Sequence, residues 1–162
     1  MNMKLAGCFL LFCLSWLPQN SWALCLGCTC SVDYANNIAF GNYNPFSGSN
    51  IDITGEIRVR CYSLVTLLAS INLKLSKGSS STYTPRTMTS GSNTLNYNLY
   101  TDASRTQIWG DGTNSTYIVR DFQLLGLIAY FTTDTVYARL PAGQTSAAVG
   151  SYSDTITLTV EY

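Results

Sequence analysis

The sequence predicts an all-β sandwich. Two patterns carry that expectation: apolar residues recur at every second position in several separate stretches, and clusters of Gly, Ser, Asn and Pro stand between those stretches. Period-two alternation puts one face of an extended strand into a core, and many short strands with frequent turns build sandwiches. Size agrees, because 162 residues make one domain with a single sizeable core.

The N-terminus is expected to be removed. Lys4 gives a basic start, residues 5–17 are an apolar run, 18–21 are polar, and Ser21 and Ala23 supply small residues for a cleavage ahead of Leu24. Residues 1–23 thus read as a signal peptide and 24–162 as the mature domain. Spanning a bilayer takes about 20 apolar residues, so the run is too short for an anchor. The stretch LAGC at 5–8 copies a lipoprotein acylation box but precedes the apolar run instead of following it, so lipidation is not expected there.

Export gives the cysteines a structural meaning. Cys8 and Cys13 leave with the signal, while Cys25, Cys28, Cys30 and Cys61 enter an oxidising compartment. Four cysteines allow three pairings. Cys30 with Cys61 would join two neighbouring strands and leave Cys25 to pair with Cys28; Cys28 with Cys61 is the competing arrangement. Zinc is disfavoured, since the chain has no His and no second Cys pair downstream.

Strands follow in order. Ile53, Gly55, Ile57, Val59 and Cys61 alternate with Thr54, Glu56, Arg58 and Arg60, and Leu67, Ala69, Ile71, Leu73 and Leu75 alternate with Ser70, Asn72, Lys74 and Ser76. Further strands are expected over 94–101, 107–109, 116–132 and 135–140, separated by turn-rich segments. The apolar stretch 122–131 has helix-like hydrophobicity, but Gly126 interrupts it and Thr and Tyr flank it, so it reads as strand. The chain closes on Ile156, Leu158, Val160 and Tyr162 alternating with Thr155, Thr157, Thr159 and Glu161. Such a strand needs a core and neighbours, and no later strand follows to supply one. Either its polar face blunts an ordinary edge, or the edge accepts a strand from another chain.

Composition excludes several functions. Nine basic and nine acidic residues cancel, and only 11% of residues are charged, which leaves no electrostatic footprint for nucleic acid. The absence of His removes Ser-His and Cys-His catalysis, and no cofactor is expected. Asp102, Asp111, Asp121, Asp134 and Asp154 are scattered among turns and strand edges. Asp111 between two glycines suits a tight turn, and Asp154 a turn or strand-edge partner. The sequon at Asn114 reads as chance in a loop rich in Ser and Thr. Trp109, Tyr100 and Tyr137 could stack on sugar in a carbohydrate-binding module, although aromatics also favour strands.

Four stretches resemble one family. IAFGNYNPFSG (38–48), YTPRTMTSGSNTLNYNLYTDASRTQIWGDGT (83–113), VYARLPAGQ (136–144) and GSYSDTITLTVEY (150–162) are similar to the spore coat protein U-like domain, the subunit family of archaic chaperone-usher pili. The resemblance implies an incomplete immunoglobulin-like sandwich lacking its last strand. It also implies a periplasmic chaperone that lends a strand, an outer-membrane usher that receives the complex, and neighbouring pilus subunits that replace the chaperone. The implied donor-strand groove has Val32, Ile38 and Phe40 on its first wall and Ile156, Leu158 and Val160 on its last.

Two features depart from that pattern. Only Leu24 would precede the first mature cysteine, so the chain is expected to accept a strand but not to donate one, as a terminal or minor adhesive subunit in attachment and biofilm formation. The run Leu124, Leu125, Leu127 and Ile128 is more apolar than the family suggests; it reads as core, or as an adhesive apolar segment. A spore or cell-coat matrix protein is the nearest alternative. Export to the periplasm and then to the cell surface follows from the same resemblance.

Overall fold

A computed structural model describes residues 24–162, with backbone alone for 24–26, 64–69 and 122–128. The expected signal peptide over 1–23 lies outside the described residues. Every element among them is a strand: β1 Leu24–Leu26, β2 Thr29–Ala35, β3 Ile51–Leu75, β4 Arg86–Ser90, β5 Asn93–Tyr100, β6 Val119–Leu140 and β7 Leu158–Glu161.

The frame is an antiparallel ribbon of β3 and β6, in register from Ile51↔Leu140 to Leu73↔Val119. The strands expected over 53–61 and 67–75 are one element, and so are those ending at 132 and beginning at 135. A register shift between Ser63 and Thr66 marks a bulge in the ribbon, and bulges bend the strands that carry them. The bend is large. Thr132 and Asp121 are 11 residues apart on β6, about 36 Å in a straight strand, yet the Thr132 hydroxyl donates to the Asp121 carboxylate. The ribbon therefore folds over, and its two halves form the two layers of the sandwich.

The alternation explains the core. Ile57, Val59 and Cys61 from one half of β3 meet Ile71, Leu73 and Leu75 from the other, joined by Leu95, Tyr97 and Leu99 of β5 and by Val136, Ala138 and Leu140 of β6. Polar residues at the intervening positions are exposed or half-buried, except Asn98 on β5, which is buried. Each fully buried aliphatic side chain is worth about 1.5–3 kcal/mol relative to exposure.

The other strands are added at the ribbon's edges. β5 pairs β6 at Asn98–Tyr100, and β4 pairs β5. On the far edge of β3, β2 pairs its first half, from Thr29↔Tyr62 to Ala35↔Ile57. β1 then pairs Val65–Leu67, and β7 pairs Asn72–Leu75. β2 and β7 thus stand on the same side of the sandwich, in different layers.

Candidate functional site

That side is open. From Tyr152 to Val160 the last segment turns Tyr152, Asp154, Ile156, Leu158 and Val160 inward and leaves the residues between them exposed. Facing it, the chain leaves β2 at Ala35 and runs on past Ile38 and Phe40. Ile38 lies over Gly55, where an added Cβ would stand 3.0 Å from its Cγ1. The apolar alternation of β3 uses glycine at that position because the wall needs the space.

Between these walls is a groove of about 400 Å3. Its floor is made of core residues: Ile57, Leu75, Met88, Tyr97, Leu99 and Val136. Both walls leave backbone groups unpaired on the side of the groove. Ser153 exchanges two hydrogen bonds with Thr89, and Thr157 is tied to Ser76 through its carbonyl (2.9 Å) and its N–H (2.9 Å). Ile156, between them, directs its peptide groups the other way, because successive residues of a strand alternate in hydrogen-bonding direction. Among the described residues neither Ile156 nor the stretch 37–42 makes a hydrogen bond. Two edges of free N–H and C=O groups above an apolar floor suit an extended chain, which could pair its backbone and fill the floor with alternate side chains.

Polar groups hold the last wall in place. The Asp154 carboxylate accepts from the Ser79 N–H (2.8 Å), the Ser79 hydroxyl (2.9 Å), the Thr155 N–H (2.8 Å) and the Tyr97 hydroxyl (2.6 Å). The close turn at Gly78 (φ +67°) permits this, since a Cβ there would strike the carboxylate at 2.1 Å. Ser76 in turn is gripped by Arg86, which is fully buried. Its guanidinium donates twice to the Ser76 carbonyl (3.0 and 2.8 Å), to Asn98 Oδ1 (2.8 Å) and to the Trp109 carbonyl (2.6 Å). Burial pulls the Arg86 pKa below its ordinary value, against the attraction of the surrounding Tyr and Asp groups.

The residues expected from sequence fall in different places. Ile38, Phe40, Ile156 and Leu158 line the groove. Val32 sits on β2, 45% exposed and outside the lining, and Val160 packs half-buried against the core beyond it. Cys30 and Cys61 form a disulfide across β2 and β3, which rules out Cys28 with Cys61. Cys28 is itself disulfide-bonded; the side chain of Cys25 lies outside the described residues. Leu124, Leu125, Leu127 and Ile128 run as strand in β6, with Leu125 opposite Leu67 and Ile128 opposite Ser63. Their side chains are also outside the description.

Trp109 is corrected. It is fully buried and its indole N–H donates to the Leu73 carbonyl at 3.0 Å, so it offers no face to a sugar. Arg105 lies 5.8 Å from the ring of Tyr137. Asp111 is a turn residue, accepting from the Thr113 N–H (2.9 Å) and hydroxyl (2.6 Å). The floor residues Met88, Tyr97, Leu99 and Val136 were not singled out from sequence, although Tyr97 and Leu99 alternate visibly within TLNYNLYT.

A two-layer β-sandwich whose core shows between its first and last strands is an incomplete immunoglobulin-like domain. The chain belongs to the Spore Coat Protein U domain family, whose model matches residues 21–159. No curated protein sequence matches it. Among solved structures it is similar in fold to a chain of the CsuC–CsuE chaperone–tip adhesion subunit pre-assembly complex from archaic chaperone-usher Csu pili of Acinetobacter baumannii. The TM-score is 0.53 and the identity 19%, over 83% of this chain and 40% of that one. The chain thus spans less than half the length of that neighbour.

Proposed function

We propose that this protein is a pilus subunit completed by a strand from another polypeptide. Residues 1–23 direct export; in the periplasm a chaperone inserts a strand into the groove; at an outer-membrane usher a neighbouring subunit's segment replaces it, and the fibre reaches the cell surface. The observation that carries this reading is the groove itself, with unpaired backbone on both walls over a floor of core side chains. Family membership and the chaperone-bound state of the Csu neighbour support it. No bond-making chemistry is involved. Apolar burial, at about 25 cal/mol per Å2, contributes several kcal/mol before the cost of ordering the donor.

Residues 24–26 and 29–35 are laddered onto β3, and Cys30 is bonded to Cys61. This favours a subunit that accepts a strand and keeps its own N-terminal strands, at a terminal or minor adhesive position in attachment. Co-expression with and without a cognate periplasmic chaperone, followed by mass measurement of the soluble species, tests the proposal. A one-to-one complex is expected with the chaperone, and aggregated or degraded protein without it. A stable, soluble monomer in both cases would overturn it.

A further inference from the structure

Among the described residues the groove is lined by a single charged side chain. Of the five residues that the last segment turns inward, four are apolar or aromatic and one is Asp154. Among the described residues no other ionised group lines the groove. Among the described residues Asp154 forms no ion pair, and its hydrogen bonds come from neutral donors on Ser79, Thr155 and Tyr97. Arg86 attracts Asp154 only from beyond ion-pair distance, and gives its own donors to oxygens of Ser76, Asn98 and Trp109 instead.

An inserted strand removes water from this carboxylate. A charge withdrawn from water without a counter-charge is costly. We infer, on the strand-accepting reading above, that the segment this groove selects carries a Lys or Arg at the position over Asp154, with apolar residues at its other inward positions. A hydroxyl could satisfy a remaining lone pair but would leave the charge unbalanced; a cation meets both needs. The same contact sets register. Alternating apolar residues fit equally well after a two-residue slip, but the slip would carry the cation from Asp154 to Ile156 or Tyr152 and leave both charges unpaired.

The test uses the full chain refolded with fluorescent peptides of alternating apolar and Thr residues, long enough to span the groove. A Lys is placed at each inward position in turn, with Met and Glu series as controls. One register is expected in which Lys binds about 10-fold tighter than Met, as a partly buried charge pair warrants, and Glu binds weakest. Added salt should weaken that Lys peptide and leave the Met peptide unchanged, which holds whether or not Asp154→Asn folds. In Asp154→Asn the Lys advantage should vanish. Equal affinity of Lys and Met in every register, or a Lys advantage that survives salt or Asp154→Asn, overturns the inference. Failure of every peptide, the Met series included, removes the strand-accepting reading and this inference with it.

Discussion

Phe40 and Tyr97 meet edge to face, their ring centroids 6.1 Å apart at 66°, and through this contact the floor of the groove touches its first wall. The Tyr97 hydroxyl reaches the opposite wall at Asp154, 2.6 Å away. Burial and the neighbouring carboxylate push the Tyr97 pKa up, so the hydroxyl remains a donor at any working pH. Tyr97→Phe keeps the ring and deletes one of Asp154's donors, and should cost about 1–2 kcal/mol. Tyr97→Ala also opens a cavity beneath both walls and should cost about 3–5 kcal/mol. Urea denaturation of the strand-bound protein measures both; an unchanged midpoint for Tyr97→Phe would show that Asp154 does not rely on the hydroxyl.

The disulfide offers an independent check on how the first layer is held. Cys30 and Cys61 are 31 residues apart, and closing a loop of that size stabilises a fold by about 2–4 kcal/mol. Replacing both with Ala, which leaves no free thiol, should lower stability by that amount and loosen β2 from β3. Amide exchange should show lost protection over 29–35 with β4 and β5 little affected. Equal loss across all strands would instead mean that β2 does not open as a separate unit.

Alternation in the sequence revealed which side of each strand is buried, because inside and outside follow directly from period two. It did not reveal that 51–75 is one strand. Local patterns fix the faces of a strand, whereas persistence of a ladder through a bend depends on pairing with residues such as Gly126 and Ile128, far along the chain. Ile38 and Phe40 were legible as wall residues only through the family resemblance. They lie beyond β2, in place because Gly55 leaves room and Tyr97 offers a ring edge. Arg86 gave no signal at all, since a charged residue in a Pro-containing stretch reads as surface. Its acceptors at positions 76, 98 and 109 come together only in the fold.

Arg86 should therefore be intolerant of conservative change. Lysine keeps the charge but presents one ammonium to acceptors spread over three segments, where the planar guanidinium reaches all of them. Arg86→Lys should lose about 3 kcal/mol or more, as expected when a buried polar hub is broken. Soluble yield and chemical denaturation of the strand-bound protein provide the measurement. Retention of wild-type stability by Arg86→Lys would show that charge alone, and not the fork of donors, organises this end of the sandwich.

Acidic groups bridge the two layers near the bend, and they make stability depend on pH. The Thr132 hydroxyl stands within hydrogen-bonding reach of both Asp121 and Asp134, the latter at 3.1 Å, while the ladder partners of these residues on β3 are Ile71, Val59 and Ile57. One hydroxyl has one proton, so it serves one carboxylate at a time, and the other is accommodated best when protonated. Burial first, and the Asp121 charge second, push the Asp134 pKa up to about 6; Tyr130, raised chiefly by burial, adds no cation. A folded-state pKa above the unfolded value means that the native protein binds the proton more tightly. This contribution is complete below about pH 4 and disappears as pH rises through about 6. Discounted for the partial exposure of Asp134, the loss should be about 1–2 kcal/mol. Asp134→Asn should flatten the stability profile between pH 4 and 7 and raise the melting temperature at pH 7, as differential scanning calorimetry across that range would show. A profile that rises with pH through this window, or an Asp134→Asn variant less stable than wild type at pH 7, would mean that the carboxylate is stabilised as the anion and that the two layers are not strained by like charge.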